Sequence, residues 1–191
     1  MNPIRQFEGW YHAELKMSKA RIPTACCLST TGLDGYPNAR FVSLKEVIDD
    51  KFIITGPIRS RKGLEIHENP KVSLTFWWPT TERQVRIQGD AALVDDQRAK
   101  HYFKERNRAS KIVSHISDQG SEVDNLDELE ATFESKRAEF KEKEVPMPED
   151  WGGFEIVPVR MEFMEFKPSR FHIREFFWKE AGQWKSTFLQ P

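Results

Sequence analysis

Three stretches of the chain gather cations and hydroxyls in patterns that a bound anion would explain. The first runs from Arg40 to Lys62 and carries Arg40, Lys45, Lys51, Arg59, Arg61 and Lys62. Within it, Arg59-Ser60-Arg61-Lys62-Gly63 sets three cations and a hydroxyl at a predicted helix start. The free N–H groups and partial positive charge of a helix N-terminus disfavour cations there. A bound phosphate reverses that balance, because it accepts the N–H bonds and pairs with the cations. The competing reading is a solvated basic turn.

The second stretch is Tyr102-Phe103-Lys104-Glu105-Arg106-Asn107-Arg108-Ala109-Ser110. On a helix, Tyr102 and Arg106 stand four apart on one face and Ser110 continues the line. Tyr, Arg and Ser together offer a dianion both donors and charge, although any amphipathic helix carries such triples. The third is Arg170-Phe171-His172-Ile173-Arg174. Read as a strand, it projects Arg170, His172 and Arg174 from one face and Phe171 and Ile173 from the other. Two arginines flanking an imidazole are costly to place together unless an anion or a solvent-filled site is near. His12, His67, His101 and His115 lack metal-ligand spacing, so no metal is expected. Serine-elbow, Walker and Rossmann patterns are absent, and Trp151-Gly152-Gly153-Phe154 reads as a tight turn before a strand.

The elements that must position these residues follow from periodicity. Phe7, Trp10, Tyr11, Leu15 and Met17 predict an amphipathic helix over about 4–18. Strands are expected at Ile22 to Leu28, Asn38 to Lys45 and Lys51 to Thr55, with turns at Ser29 to Gly35 and Asp49-Asp50. A short helix N-capped by Ser60 ends near Glu68-Asn69-Pro70. Val72 to Trp78 and the alternating Gln84 to Val94 are strands, the latter with Val85 and Ile87 on one face. Helices follow from Asp95-Asp96 to Arg106, from Ser110 to Ile116, and through Leu126, Leu129, Phe133, Arg137 and Phe140. Val145-Pro146-Met147-Pro148 stops the last of these. Phe154 to Phe166, His172 to Trp178 and Trp184 to Leu189 complete the set, the last two joined at Glu180-Ala181-Gly182. This order predicts an α+β, mainly β chain: an antiparallel barrel with helices packed outside.

Composition narrows the partners. The 191 residues include 29 basic and 30 acidic side chains for a formal net charge of −1, which gives no overall pull toward nucleic acid or an anionic membrane. No apolar run approaches the length of a membrane span, and the start has no signal core. The only cysteines, Cys26 and Cys27, are neighbours and read as two buried, reduced thiols of a cytoplasmic protein.

From about Phe7 to Pro191 the chain resembles the pyridoxamine 5′-phosphate oxidase family. The resemblance rests on Arg40-Phe41-Val42-Ser43-Leu44-Lys45, Ser60-Arg61-Lys62, Asn69-Pro70-Lys71-Val72-Ser73-Leu74, Glu82-Arg83-Gln84-Val85, Glu144-Val145-Pro146-Met147-Pro148 and Trp151-Gly152-Gly153-Phe154, in the family's order and spacing. It implies a single split β-barrel domain over 1–191, paired as a homodimer with FMN at the subunit interface. Arg61 and Lys62 match the flavin phosphate ligands. Arg40, Phe41, Val42, Lys45, Thr55, Gly56, Gln84, Gln119 and Arg174 match the rest of the flavin site, some contributed by the partner subunit. Lys45, Tyr102, Arg106 and Ser110 match the clamp for the substrate's phosphate, and Arg170 and His172 match the pair beside its pyridine ring. The implied reaction oxidises pyridoxamine or pyridoxine 5′-phosphate to pyridoxal 5′-phosphate, a vitamin B6 salvage step. O₂ is the acceptor and H₂O₂ the product.

The chain also departs from the family. Met164 stands for a tryptophan that packs on the flavin, Ile173 for an acidic residue and Gly120 for a flavin-contacting serine. The family's closing Arg-Leu-x-Pro is Phe188-Leu189-Gln190-Pro191, and the N-terminus reads as short, so the arm that covers the substrate in longer members is expected to be missing. Two alternatives therefore stand beside the leading one. One is a related flavin oxidase acting on another ring substrate, as in the phenazine pathway. The other is a non-catalytic binder of flavin or pyridoxal phosphate.

Overall fold

The computed structural model describes residues 2–191. Helix α1 (Pro3–Met17) begins where Asn2 accepts the Ile4 N–H at 2.9 Å and a proline fills the first turn. Strands β1 (Ala25–Thr31), β2 (Pro37–Ile48) and β3 (Lys51–Pro57) then form consecutive antiparallel hairpins. Helix α2 (Arg61–Glu68) leads to β4 (Lys71–Trp78) and β5 (Arg83–Leu93). Three helices follow: α3 (Asp96–Glu105), α4 (Arg108–Ile116) and α5 (Leu126–Glu139). The chain ends in β6 (Trp151–Glu165), β7 (Ile173–Glu180) and β8 (Gln183–Leu189).

Strand order is β3-β2-β1-β4-β5-β6-β7-β8, and β3 also pairs with β6, so the first six strands close into an antiparallel barrel. β6 is long enough to serve two partners on one edge. Its first half, Trp151 to Ile156, pairs with β3, and its second, Arg160 to Glu165, pairs with β7. The barrel therefore splits along β6, and β7 and β8 extend from it as a hairpin. This is the mainly β antiparallel barrel that the order of elements predicts, split as the family resemblance implies.

Alternating apolar side chains fill the barrel: Leu28, Leu44, Phe52, Ile54, Leu74, Phe76, Val85, Ile87, Ile156 and Phe163 are all buried. Helix α1 closes it with Phe7, which is fully buried and meets Phe52 and Phe76 edge-on at 4.9 and 5.0 Å. Burying such a ring contributes about 2–3 kcal/mol. No helix among the described residues is long and apolar enough to cross a membrane.

Several expected boundaries shift. β1 covers Ala25–Thr31 rather than Ile22 to Leu28, and residues 29–31, read as turn, pair with Ala39, Asn38 and Pro37 of β2. The hydroxyls of Thr30 and Thr31 meet partners on or beside α2, so strand pairing wins over turn propensity. α4 begins at Arg108 because Asn107 caps it, accepting the Ser110 N–H at 2.8 Å. α5 buries none of its own residues; only Phe133 packs, against Ile112, Phe140 and Val145. Cys26 is buried, but Cys27 is only half-buried.

Candidate functional site

The loop into α2 builds the first part of the site. Gly63 lets the helix start pack tightly, since a Cβ there would lie 2.0 Å from the Ile58 carbonyl oxygen. Ser60 occupies the N-cap position, yet its hydroxyl does not cap. It donates to the Pro57 carbonyl at 2.7 Å and accepts from Lys62 Nζ at 2.7 Å. The free N–H groups of this helix end are left for another acceptor. A cleft of about 550 Å³ opens here, lined by Arg40, Phe41, Val42, Thr55, Gly56, Arg61, Lys62, Arg106 and Gln119. Of the residues expected around a flavin, the structure thus brings Arg40, Phe41, Val42, Thr55, Gly56, Arg61, Lys62 and Gln119 together.

Lys62 is the most informative of these. Among the described residues its ammonium touches only neutral acceptors, the Ser60 hydroxyl and the Gln119 side-chain oxygen. Burial pushes it down to about 8, and the neighbouring Arg40 adds to the shift. A cation held this way lacks a counter-charge that the cleft has room to admit.

Sequence reasoning missed Glu65. Its carboxylate is fully buried and accepts four hydrogen bonds, from Thr30, Asn38, Arg40 at 2.8 Å and Arg61 at 3.0 Å. Burial raises its pKa, but those bonds outweigh it and hold the group below the usual carboxylate range. Glu65 thereby fixes the two arginines at the cleft edge. The one local signal is the four-residue spacing from Arg61 on α2; the other donors lie 25 to 35 residues away.

The second expected cluster is only partly assembled. Lys45 is the extra residue of a β-bulge, because Leu44 pairs with Ile54 while Glu46 pairs with Ile53. The bulge turns its ammonium toward α3, 5.5 Å from the Tyr102 ring. Arg106 follows as the C-cap of α3, stacked over Trp151 at 5.2 Å with its Nε buried and unbonded. Burial lowers its pKa. Ser110 does not continue the Tyr102–Arg106 line. The helix breaks at Arg106, and Asn107 restarts it as α4.

The expected strand stripe of Arg170, His172 and Arg174 is corrected more strongly. β7 starts at Ile173, and Arg170 sits in a turn at φ +65°, donating its N–H to the Lys167 carbonyl at 3.0 Å. The turn orients His172, whose Nδ1 accepts the Lys167 N–H at 3.1 Å. In the neutral ring, Nε2 then carries the proton and is a donor. Arg174 does lie on β7, gripped by Glu162 at 2.8 Å. It shares a row across three strands with Gln84 and Met164. Phe171, His172, Ile173 and Arg174 line a separate hollow of about 650 Å³ with the C-terminal residues 188–191. Within one copy of the chain, therefore, the Arg170 turn and the Lys62 cleft do not share a cavity. Phe41 beside the cleft is 80% exposed, and Phe171 and Phe188 are 72% and 71% exposed.

A six-stranded barrel split along one strand, with cations converging at the start of its internal helix, defines a split-barrel protein with an anion-ready cleft. Residues 17–139 match the family described as pyridoxamine 5′-phosphate oxidase. Residues 151–191 match the pyridoxine 5′-phosphate oxidase C-terminal dimerisation region. The chain belongs to the pyridoxamine 5′-phosphate oxidase family. It is 37% identical to the pyridoxine/pyridoxamine 5′-phosphate oxidase of Leptospira biflexa, over all of this chain and 89% of that one. Identity to the same-named protein of Zymomonas mobilis is 37%, covering 98% of that protein, and to that of Cupriavidus pinatubonensis 39%, covering 89%. Among solved structures, PhzG from Burkholderia lata 383, in complex with tetrahydrophenazine-1-carboxylic acid, superposes with a TM-score of 0.92 at 27% identity. The match covers all of this chain and 93% of that one.

Proposed function

We propose that the chain is an FMN-dependent oxidase that converts pyridoxamine and pyridoxine 5′-phosphates to pyridoxal 5′-phosphate, with O₂ as acceptor and H₂O₂ as product. The observation that carries the reading is Lys62: a largely buried ammonium with neutral partners only, beside Arg40 at an uncapped helix start. Family membership supplies the chemistry that fits it.

In this reading, Arg61, Lys62 and the free N–H groups of α2 hold the FMN phosphate, and Glu65 keeps Arg40 and Arg61 aimed at it. Phe41, Val42, Thr55, Gly56 and Gln119 line the rest of the flavin along the cleft. FMN, when bound, supplies the hydride acceptor and passes the electrons on to O₂. Lys45, Tyr102, Arg106 and Ser110 hold the substrate's phosphate and fix its ring, and positioning of this kind is a major part of a rate gain. His172 hydrogen-bonds through Nε2 to the oxygen or nitrogen on the substrate's reacting carbon and so orients it, the proton that this atom loses leaving to solvent as the carbon gives up hydride, and Arg170 flanks the ring.

The site is completed by a second copy. The Arg170 turn, with Gln84 and Arg174, lies away from the Lys62 cleft in one copy, and the exposed Phe41, Phe171 and Phe188 need cover. A homodimer through the C-terminal region supplies both, with the whole chain, 1–191, acting as one FMN-binding unit.

Comparing turnover of pyridoxine 5′-phosphate with that of pyridoxine, by H₂O₂ yield, tests the substrate class. The phosphorylated compound is expected to react with a kcat/KM higher by at least two orders of magnitude, the worth of about 3 kcal/mol of charge-assisted contacts. Turnover confined to unphosphorylated rings would reject the reading and favour a phenazine-type substrate.

A further inference from the structure

Two carboxylates that the proposed chemistry leaves without a role sit on side chains that it uses. Glu105 Oε2 lies 2.6 Å from Lys45 Nζ, and its other oxygen lies 3.2 Å from His101 Nε2. Glu46, the next residue along the bulge, accepts the Tyr102 hydroxyl hydrogen bond. The faces that Lys45 and Tyr102 would turn to a phosphate thus each carry an anion of the protein's own.

The two carboxylates differ in how easily they yield. Tyr102 is only 2% exposed, and Glu46 is held beneath it, half-buried. The Glu105 side chain is 47% exposed, so it can swing into water at small cost. Its place in the chain is also unfavourable. It ends α3, where the helix dipole opposes a carboxylate, and the contacts that compensate are Lys45 and His101. Glu105 is therefore held by Lys45 and is displaceable from it.

We infer that Glu105 is a specificity-determining residue of the substrate site: its carboxylate occupies the anion position on Lys45 and must give way to the substrate's phosphate. It weakens the preference for a dianionic substrate over a less charged ring that does not need Lys45. The inference rests on reading Lys45 and Tyr102 as substrate-phosphate residues. The cation paired with Glu105 is Lys45, with His101 adding charge only when protonated.

The test compares the FMN-loaded wild type, Glu105→Gln and Lys45→Met. KM and kcat are measured for pyridoxine 5′-phosphate and pyridoxine, and the Kd of pyridoxal 5′-phosphate is measured by direct titration. Removing one partly exposed charge is expected to lower KM and Kd for the phosphorylated compounds roughly three- to tenfold. The KM for pyridoxine and the Kd for FMN stay unchanged. An unchanged or raised Kd in Glu105→Gln overturns the inference, as does an equal fall for both substrates, which marks a general structural effect. Lys45→Met separates this failure from that of the underlying reading. If it weakens pyridoxal 5′-phosphate binding while Glu105→Gln does nothing, the inference alone falls; if it too leaves binding unchanged, the clamp assignment falls with it.

Discussion

Lys62→Ala is expected to weaken FMN binding on the order of a hundredfold, equivalent to about 3 kcal/mol for a desolvated charge-assisted contact. The size of the effect follows from what surrounds the ammonium. Ser60 and Gln119 satisfy its hydrogen bonds without cancelling its charge. Burial and Arg40 push its pKa down to about 8, so a phosphate arriving beside it relieves a cost that the free protein already carries. The dependence on pH has a definite sign. The phosphate binds the protonated lysine, so the part of FMN affinity set by Lys62 is flat between about pH 7 and 8 and falls above it by up to about tenfold per pH unit. Free protein behaves oppositely. Its folded state binds fewer protons than its unfolded state between about 8 and the ordinary lysine value near 10.4, so stability from this group rises with pH there. Quenching of FMN fluorescence across this range measures the binding curve. Lys62→Arg, which stays charged, should abolish the inflection. A loss below threefold in Lys62→Ala, or a wild-type profile flat to pH 10, would remove Lys62 from the phosphate site.

The second large effect is expected at the turn before β7. His172→Ala and Arg170→Ala should slow reduction of the bound flavin by pyridoxamine 5′-phosphate about a hundredfold or more, the usual range for losing a group that orients the reacting atom. FMN affinity should change less than threefold in either variant, a shift of about 0.6 kcal/mol. The structure gives the reason for the split. Neither residue lines the Lys62 cleft of its own copy, so neither is needed to seat the phosphate. Both are held for another purpose: Arg170 by a left-handed backbone at φ +65°, and His172 by the Lys167 N–H that fixes its tautomer. A non-glycine residue in that conformation costs on the order of 1 kcal/mol and persists where the surroundings impose it. Anaerobic stopped-flow absorbance separates the rate of bleaching from the fraction bound. Loss of FMN with unchanged bleaching per bound flavin would reverse the assignment.

Local chemistry made much of the fold legible. The alternation of Val85 and Ile87 and the Asp49-Asp50 turn each act within a few residues, and each marks an element that forms, whereas α5 ends at Glu139, short of the proline expected to stop it. The cation cluster at Arg61 and Lys62 was readable for the same reason. What escaped depends on distant partners. Thr30 stays in β1 because Glu65 lies 35 residues further on, and nothing near Thr30 announces it. Glu65 itself reads as an ordinary helix-surface residue until two strands, β1 and β2, converge on it. The stripe from Arg170 to Arg174 does not form, because its alternation suits a strand but a left-handed Arg170 makes a turn and β7 begins only at Ile173. Ser110 fell off its line because Asn107 is a strong cap, a signal present in the sequence but outweighed by spacing. The carboxylates on Lys45 and Tyr102 could not be seen without knowing that a bulge turns β2 toward α3.

The measurement that tests the central claim most directly is a visible-absorbance titration of the purified protein with FMN, followed by pyridoxine 5′-phosphate in the absence of oxygen. A saturable yellow complex whose flavin band disappears on adding the substrate, and returns with H₂O₂ on admitting air, is the predicted result. Failure to bind micromolar FMN, or a bound flavin that stays oxidised under pyridoxine 5′-phosphate, would contradict it.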